Sequence, residues 1–210
     1  MDGKVNYTKL NKEVSQALRH VPCDYELELA KNGWVLTDQL LRALHQTVEW
    51  QNVTIERFKP TDITELIQLF YQTIEEINSQ DYSKSQLQAW QGKHREDERS
   101  KQWSEKLCIS KTLIARNKNQ EISGFLELEP SGELNLFFVH ARYQRQGIGQ
   151  LLMEQLLTEV NDTSLKRLTA NVSITAVPFF EAVGFKKIQQ QIVSVDHQEF
   201  INYRMEKELM

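Results

Sequence analysis

The sequence predicts an α/β (α+β) domain with a mixed central sheet and helices on both faces, preceded by a small helical module. Three observations carry this reading. Short alternating strands and amphipathic helices follow one another from Val53 onward. A glycine pair, Gly147 and Gly149, stands where a strand hands over to a helix. At residues 46–53 a helical pattern stops and a strand-like one begins, which divides the chain into residues 1–50 and 51–210.

In the first part, Tyr7 to His20 reads as an amphipathic helix with Leu10, Val14 and Leu18 on one face. Asp38 to Leu44 reads as another, with Thr37 as its cap. Between them Leu27-Glu28-Leu29 alternates, Asn32-Gly33 turns, and Trp34-Val35-Leu36 returns. Helices around so small a hairpin suggest a reduced winged-helix-like module.

The second part opens with the alternating strand Val53 to Phe58. Asp62-Ile63-Thr64-Glu65 reads as a capping box that starts a helix carrying Ile63, Leu66, Ile67, Phe70, Ile74 and Ile77. Ser83-Lys84-Ser85-Gln86 reads as a second box, leading through Leu87 and Trp90. A third short helix is expected around Trp103 to Leu107. Strands follow at Thr112 to Arg116, Glu121 to Glu129 and Glu133 to His140, with turns at 117–120 and 130–132. The helix after the glycines has Ile148, Leu151, Leu152, Leu156 and Val160 as its buried stripe. A strand at Leu168 to Val172 leads to a helix from Thr175 to Val183, with Pro178 in its first turn and Gly184 as its stop. Two strands, Lys187 to Val195 and Glu199 to Lys207, complete the sheet.

Composition narrows the function classes. With 40% hydrophobic and 26% charged residues, the 210-residue chain can fill a real core, as one large domain or an ordinary one plus a small one. The net charge of −4 gives no overall attraction for nucleic acid, and residues 1–50 carry six Lys and Arg against seven Asp and Glu. No segment approaches the roughly 20 apolar residues of a membrane span, and Met1 to Asn6 has no signal-peptide core. Cys23 and Cys108 lack metal-ligand spacing, and Cys108 is expected to be a small buried hydrophobe. A cytoplasmic protein without a metal site and without membrane contact is the expectation.

The chemistry centres on Gln144-Arg145-Gln146-Gly147-Ile148-Gly149, between a strand ending at Val139 and a helix. Glycines there let the backbone approach a ligand, and the unpaired N–H groups of a helix start suit an anion such as a pyrophosphate. A dinucleotide-binding site would need a third Gly where Leu152 stands, and a P-loop would need Lys after the glycines. The spacing instead resembles the GNAT N-acetyltransferase signature, Gln/Arg-x-x-Gly-x-Gly/Ala. Val139-His140-Ala141-Arg142-Tyr143-Gln144 is similar to that family's approach to the glycines. Ser173 to Phe185, with Asp81-Tyr82-Ser83, Trp90, Trp103 and Asn202-Tyr203-Arg204-Met205, resembles its YafP-like branch.

The resemblance spans residues 53 to 208 and implies a GNAT acyl-CoA N-acyltransferase fold with a mixed, splayed central sheet. It implies acetyl-CoA as cosubstrate and direct attack by an acceptor amine. Phe137, Phe138 and Val139 would pair with the pantetheine arm, and the amides of Gln144, Arg145, Gln146, Gly147, Ile148, Gly149 and Gln150 would hold the pyrophosphate. Ser173 stands where Asn is common, and its hydroxyl is expected to bond the pantetheine or cap the helix. Phe180 stands where many members have the Tyr that protonates the departing thiolate; it is kept among the cofactor-binding positions, while the acid is left open. Candidate bases are Glu127, Glu129, Glu133 and His140, of which Glu129 and Glu133, with Tyr82, form the catalytic assignment. Tyr82, Trp90 and Trp103 are expected to line an acceptor pocket or to anchor the core.

Leu18-Arg19-His20, Pro22, Leu27, Leu29, Gly33-Trp34-Val35 and Leu40-Leu41 resemble the N-terminal lobe of the RNA 2′-phosphotransferase (KptA) family over residues 7 to 45. The resemblance implies RNA-phosphate contact through Arg19 and His20, although the family's NAD-binding lobe has no counterpart downstream. Three readings stand at this point. One is an N-acetyltransferase acting on an amine of a small molecule or protein. The second is an RNA-associated acetyltransferase targeted by the N-terminal module, and the third a non-catalytic CoA-binding protein.

Overall fold

The computed structural model describes residues 53–209, Asp162 excepted. The module read in residues 1–50, including Arg19 and His20, lies outside the described residues.

The described chain forms β1 (Thr54–Arg57), α1 (Ile63–Glu76), α2 (Lys84–Gln91), α3 (Glu96–Ile109), β2 (Lys111–Arg116), β3 (Ile122–Leu128) and β4 (Glu133–Val139). It continues with α4 (Ile148–Val160), β5 (Arg167–Ser173), α5 (Val177–Ala182), β6 (Lys186–Val195) and β7 (Gln198–Glu208). The strands make one seven-stranded sheet in the order β1-β2-β3-β4-β5-β7-β6. Every pairing is antiparallel except β4 with β5. β6 and β7 meet at Asp196-His197, both at positive φ (46° and 63°), the twist a two-residue hairpin loop needs.

The alternation of β3 sorts the helices onto two faces. Phe125 packs with Leu66 and Leu69 of α1 and Leu107 of α3. Its neighbour Gly124 faces the other way, where an added Cβ would lie 3.0 Å from Ile148 and 3.3 Å from Leu152. The missing side chain lets α4 sit low on the sheet, beside the end of β4, since Gly124 is paired with Val139. The buried stripe of α4 runs through Ile148, Leu152, Met153, Leu156 and Val160, with Met153 taking the place expected of Leu151.

Four expectations are corrected. The box at Asp62 does not form: Asp62 accepts from the Lys59 amide (3.0 Å) and from Arg116 (2.7 Å), and Glu65 accepts from the Ile122 amide (2.6 Å). Asp62 reaches back to the preceding turn and out to Arg116, and Glu65 reaches the distant Ile122 amide, so neither is free to cap α1. The box at Ser83 and Gln86 does form, with both bonds present. The third helix is longer than its apolar residues suggest. Its first turn holds Glu96, Asp97 and Glu98, which suit the positive helix start. Arg99 anchors it, stacked 4.9 Å from the Phe70 ring and donating to the Tyr71 hydroxyl (2.9 Å) and the Gln91 carbonyl. Cys108 is exposed rather than buried, because its neighbour Leu107 takes the inward position on α3. Finally, the segment before α5 begins as a 3-10 turn, Ile174–Ala176.

Candidate active site

β4 and β5 pair only at Glu133–Thr169 and Leu134–Ala170. Beyond that point β4 runs on to Val139 and β5 to Ser173 with no ladder between them, so a wedge opens in the middle of the sheet. Main-chain groups of β4 that face β5 there meet no strand, and polar backbone left open needs a partner. Near the apex, Leu128 opposes Leu134 while Glu127 opposes Leu136, which leaves Asn135 as a bulge residue. Nothing in the sequence marks this bulge.

The loop 144–147 closes the mouth of the wedge. Arg145 (φ 59°) and Gly147 (φ 76°) both adopt left-handed backbone, and such alternation turns successive amides toward one concavity. The first bond of α4 runs from the Leu151 amide to the Gly147 carbonyl (2.9 Å), so Ile148, Gly149 and Gln150 present amides with no helical partner. The two glutamine side chains brace the loop from behind. Gln144 Nε2 donates to the Val139 carbonyl (2.7 Å), and Gln146 Nε2 donates to the Arg142 carbonyl (2.7 Å). Gln150 bonds within its helix to Glu154 (2.9 Å). This bracing role was open to sequence reasoning, since both glutamines sit in the motif, but their backbone carbonyl partners were not.

Aromatic side chains wall the wedge. Phe137 points toward α5, edge-on to Phe179 (5.1 Å between centroids) and Phe180 (5.9 Å). Phe138 points to the opposite face, stacked on Phe125 (5.7 Å) and edge-on to Phe70 (5.1 Å). Phe180 is buried among Phe137, Phe179 and Phe185. Gly149 has ordinary backbone, and its missing side chain serves packing: an added Cβ would lie 3.0 Å from the Phe179 ring. Ser173 makes no capping bond.

The titratable candidates separate. Glu127 is fully buried, its oxygens accept no hydrogen bond, and the Lys106 ammonium stands 3.5 Å away. Glu129 is ion-paired with the same lysine at 2.6 Å. Burial works against the Lys106 charge, but the two carboxylates outweigh it and raise its pKa above the ordinary value. Glu133, at the apex, accepts from Asn171 (2.8 Å) through Oε1. His140 accepts the Arg142 amide at Nδ1 (3.1 Å), and burial, then the Arg142 charge, holds its pKa low. The Tyr82 hydroxyl is taken by two backbone groups, donating to the Ile201 carbonyl (3.1 Å) and accepting from the Ile174 amide (3.0 Å). Burial raises its pKa.

Tyr82 packs with Trp90 and Phe200, Trp103 packs on Phe70 and Phe125, and Trp90 joins the two groups by packing, like Trp103, against the cluster of Ile67, Phe70, Tyr71 and Ile74. Among the described residues no group of three or more His, Cys, Asp or Glu is placed to hold a metal. No described helix is long and apolar enough to cross a membrane.

The sheet split between β4 and β5, with an open helix start after β4, is the architecture of an N-acyltransferase fold. The chain belongs to the GNAT acetyltransferase family: the model of the acetyltransferase (GNAT) domain matches residues 78–207. YafP of Escherichia coli K12, described as an uncharacterized N-acetyltransferase, is 31% identical over 154 residues, which cover 73% of this chain and 95% of that protein. A GCN5-related N-acetyltransferase from Rhodopseudomonas palustris matches in structure with a TM-score of 0.69 and 25% identity, covering 75% of this chain and 96% of that one. The PaiA N-acetyltransferase of Thermoplasma acidophilum, solved with coenzyme A, shares the fold (TM-score 0.61, 18% identity, 74% and 98% covered).

The N-terminal segment has a different relative, described as a probable RNA 2′-phosphotransferase, in Bacillus thuringiensis subsp. konkukian. It is 62% identical over 59 residues, 28% of this chain. The chain spans 32% of that protein's length.

Proposed function

We propose that residues 51–210 transfer an acetyl group from acetyl-CoA to an amine of a small molecule or protein, with residues 1–50 as a separate module. The observation that carries this is the loop of outward amides at the mouth of the open β4–β5 wedge. The amides of Arg145 to Gln150 would hold the pyrophosphate, that of Gln144 being bonded to the Ala141 carbonyl (3.3 Å), and the free edge of Phe137 to Val139 would pair with the pantetheine amides. Acetyl-CoA would supply its acetyl group as an activated thioester.

The remaining chemistry falls to the chain. An amide of β4 near the bulge polarises the acetyl carbonyl, where negative charge builds as the amine attacks. Glu133 takes the proton the amine must shed, since its Oε2 has no bond among the described residues and it stands at the wedge apex. Glu129 is committed to Lys106, and Tyr82 holds the ends of β5 and β7 in place. Phe180 carries no proton to give, so the departing thiolate, of pKa about 8.5, leaves with water as its only proton source.

Thermal unfolding with acetyl-CoA, CoA and NAD tests the reading. A ligand at 100 times its Kd adds about 2.7 kcal/mol, roughly 5–10 °C here. A rise with acetyl-CoA and CoA alone, abolished in Gly147→Glu, is expected. CoA binding without acetyl transfer across a broad amine panel would instead mark a binding protein.

A second reading concerns the N-terminal module, favoured by its 62% identity to the phosphotransferase segment. Arg19 and His20 would contact RNA phosphate and bring the acetyltransferase to an RNA or RNA-bound target. Binding would then weaken steeply with salt and be lost in Arg19→Ala with His20→Ala.

A further inference from the structure

The face of the sheet that carries the first three helices continues past the wedge as a polar floor. Phe200 marks that face on β7, since it packs with Tyr82 and with Ala89 of α2. Strand alternation puts Asn202 and Arg204 on the same face, with Ser173 and Asn171 of β5 opposite them. Asn171 in turn donates to Glu133 (2.8 Å) at the wedge apex. The other face of these strands is apolar, with Ala170, Val172 and Met205 all buried. Glu133, Asn171, Arg204 and Asn202 therefore share one surface that begins at the apex, and the exposure of Asn171 shows that it is open.

Two groups on this floor lack partners. Arg204 is partly buried, yet its guanidinium makes no hydrogen bond or ion pair among the described residues. The residues across from it are neutral, Asn171 on β5 and Gln189 on β6. Glu206, the acid two residues further along β7, is paired with Arg167 (3.6 Å). Asn202 Oδ1 is buried and accepts no hydrogen bond among the described residues. Buried polar groups ordinarily have partners, so both point to something that the floor receives. A planar guanidinium grips a carboxylate with two parallel bonds, and a carboxamide oxygen takes an N–H.

We propose that the acceptor lies on this floor and that Arg204 binds a carboxylate on it, so that the acetylated amine belongs to a small amino acid. This rests on the acetyltransferase reading and on Glu133 as its base. Arg204 stands two strands from Glu133, with Cα atoms roughly 12 Å apart at ordinary strand spacing, which leaves the two head groups room for a molecule only a few atoms long. The carboxylate held by Arg204 turns the amine toward the apex, and Asn202 accepts an N–H of the same molecule. The amine nitrogen then bonds the acetyl carbon, the carbon–sulfur bond of the thioester breaks, one amine proton passes to Glu133, and CoA leaves as thiolate.

Acetylation of free amino acids, each compared with its own carboxamide, tests this. The unaltered protein should favour the acid of each pair it accepts, and in Arg204→Gln that preference in kcat/KM should shrink by roughly 10- to 100-fold. Arg204→Lys, which keeps the charge without the fork, should recover part of it. A preference that survives Arg204→Gln places the carboxylate elsewhere and overturns the proposal. If Arg204→Gln fails to fold, the unaltered chain decides: preference for the acids supports the floor as their site, and equal rates for acids and carboxamides overturn it. Such equal rates would leave the acetyltransferase reading standing. Acids that bind the CoA-loaded protein more tightly than their carboxamides, without acetyl transfer, would uphold Arg204 and remove the catalytic reading. Neither binding nor transfer of any amino acid overturns the proposal as well.

Discussion

Gly149 and Phe179 occupy one another's space: a Cβ at Gly149 would approach the Phe179 ring to 3.0 and 3.1 Å. The second glycine of the loop motif therefore joins the start of α4 to α5, and Phe179 in turn braces Phe137 on the wedge wall. Placing Ala at 149 would gain about 0.5–1 kcal/mol of helix preference, against about 1–3 kcal/mol for crowding. Phe179 is only half-buried and can yield, so the net change in stability should stay within about 1 kcal/mol. The displaced ring shifts the wedge wall, so KM for acetyl-CoA should rise several-fold. Phe179→Leu added to Gly149→Ala should bring it back, and steady-state kinetics on the three variants checks this.

Gln144→Ala removes the brace between the loop and the Val139 carbonyl. The Thr73 hydroxyl, whose one proton is shared between the Leu69 carbonyl (2.8 Å) and this one (3.3 Å), can turn toward the vacated carbonyl, and the stability cost should be about 1 kcal/mol. The loop amides lose their fixed aim, and affinity for CoA should fall about tenfold, which is about 1.4 kcal/mol. Titration calorimetry with CoA and a parallel melt separate the two effects. Equal affinity in variant and parent would show that the glutamine does not orient the loop.

Much of this arrangement was legible in the residues. The glycine loop, the strand before it and the apolar stripe of α4 are local patterns, and each is present. What the pattern hid was set by distant partners. Asp62 and Glu65 look like a cap of α1, but Asp62 bonds the Lys59 amide and Arg116 instead, and Glu65 the Ile122 amide. The first half of α3 is almost wholly polar, and only the stacking of Arg99 on Phe70 shows why it folds as helix. The wedge and the bulge at Asn135 follow from strand register, which no single segment encodes.

Tyr82→Phe distinguishes a proton donor from a positioning residue. The hydroxyl bonds two backbone groups, and its loss leaves the Ile174 amide and the Ile201 carbonyl short of a partner. A cost of about 2 kcal/mol is expected, or roughly 4–8 °C in Tm. Acetyl transfer per folded molecule, and its pH profile, should be unchanged well below the melt. Loss of the alkaline limb of that profile would make Tyr82 the acid after all.

His140 predicts a pH effect on stability. Burial and the Arg142 charge hold its folded pKa below the unfolded value of about 6.5. The unfolded chain therefore binds the extra proton first, and stability contributed by His140 is present above that value and lost as pH falls through it. His140→Asn keeps an acceptor for the Arg142 amide but cannot take up the proton. Denaturant unfolding at pH 7.5 and pH 5.5 should show a smaller loss in the variant than in the parent. An equal loss would assign the pH dependence to other groups.

Lys106 forms an ion pair with Glu127 of β3, at the centre of the sheet. Glu127 is fully buried with no hydrogen bond to either oxygen, and the Lys106 ammonium, itself about one-third exposed, is 3.5 Å away. Removing the lysine as Lys106→Met leaves a buried carboxylate beside Leu136 with no counter-charge, at a cost of roughly 3 kcal/mol. Glu127→Leu alone strands no buried charge, because Lys106 keeps Glu129 at 2.6 Å. It should therefore be near neutral or stabilising, as apolar replacements of buried ions often are. The double variant Lys106→Met with Glu127→Leu should recover most of the loss, giving a coupling of about 2 kcal/mol in a double-mutant cycle. Because the lysine is raised in pKa by both carboxylates, its contribution is complete below about pH 10 and fades as pH climbs through the folded value. Additive effects of the two single variants would show that the pair carries no net interaction.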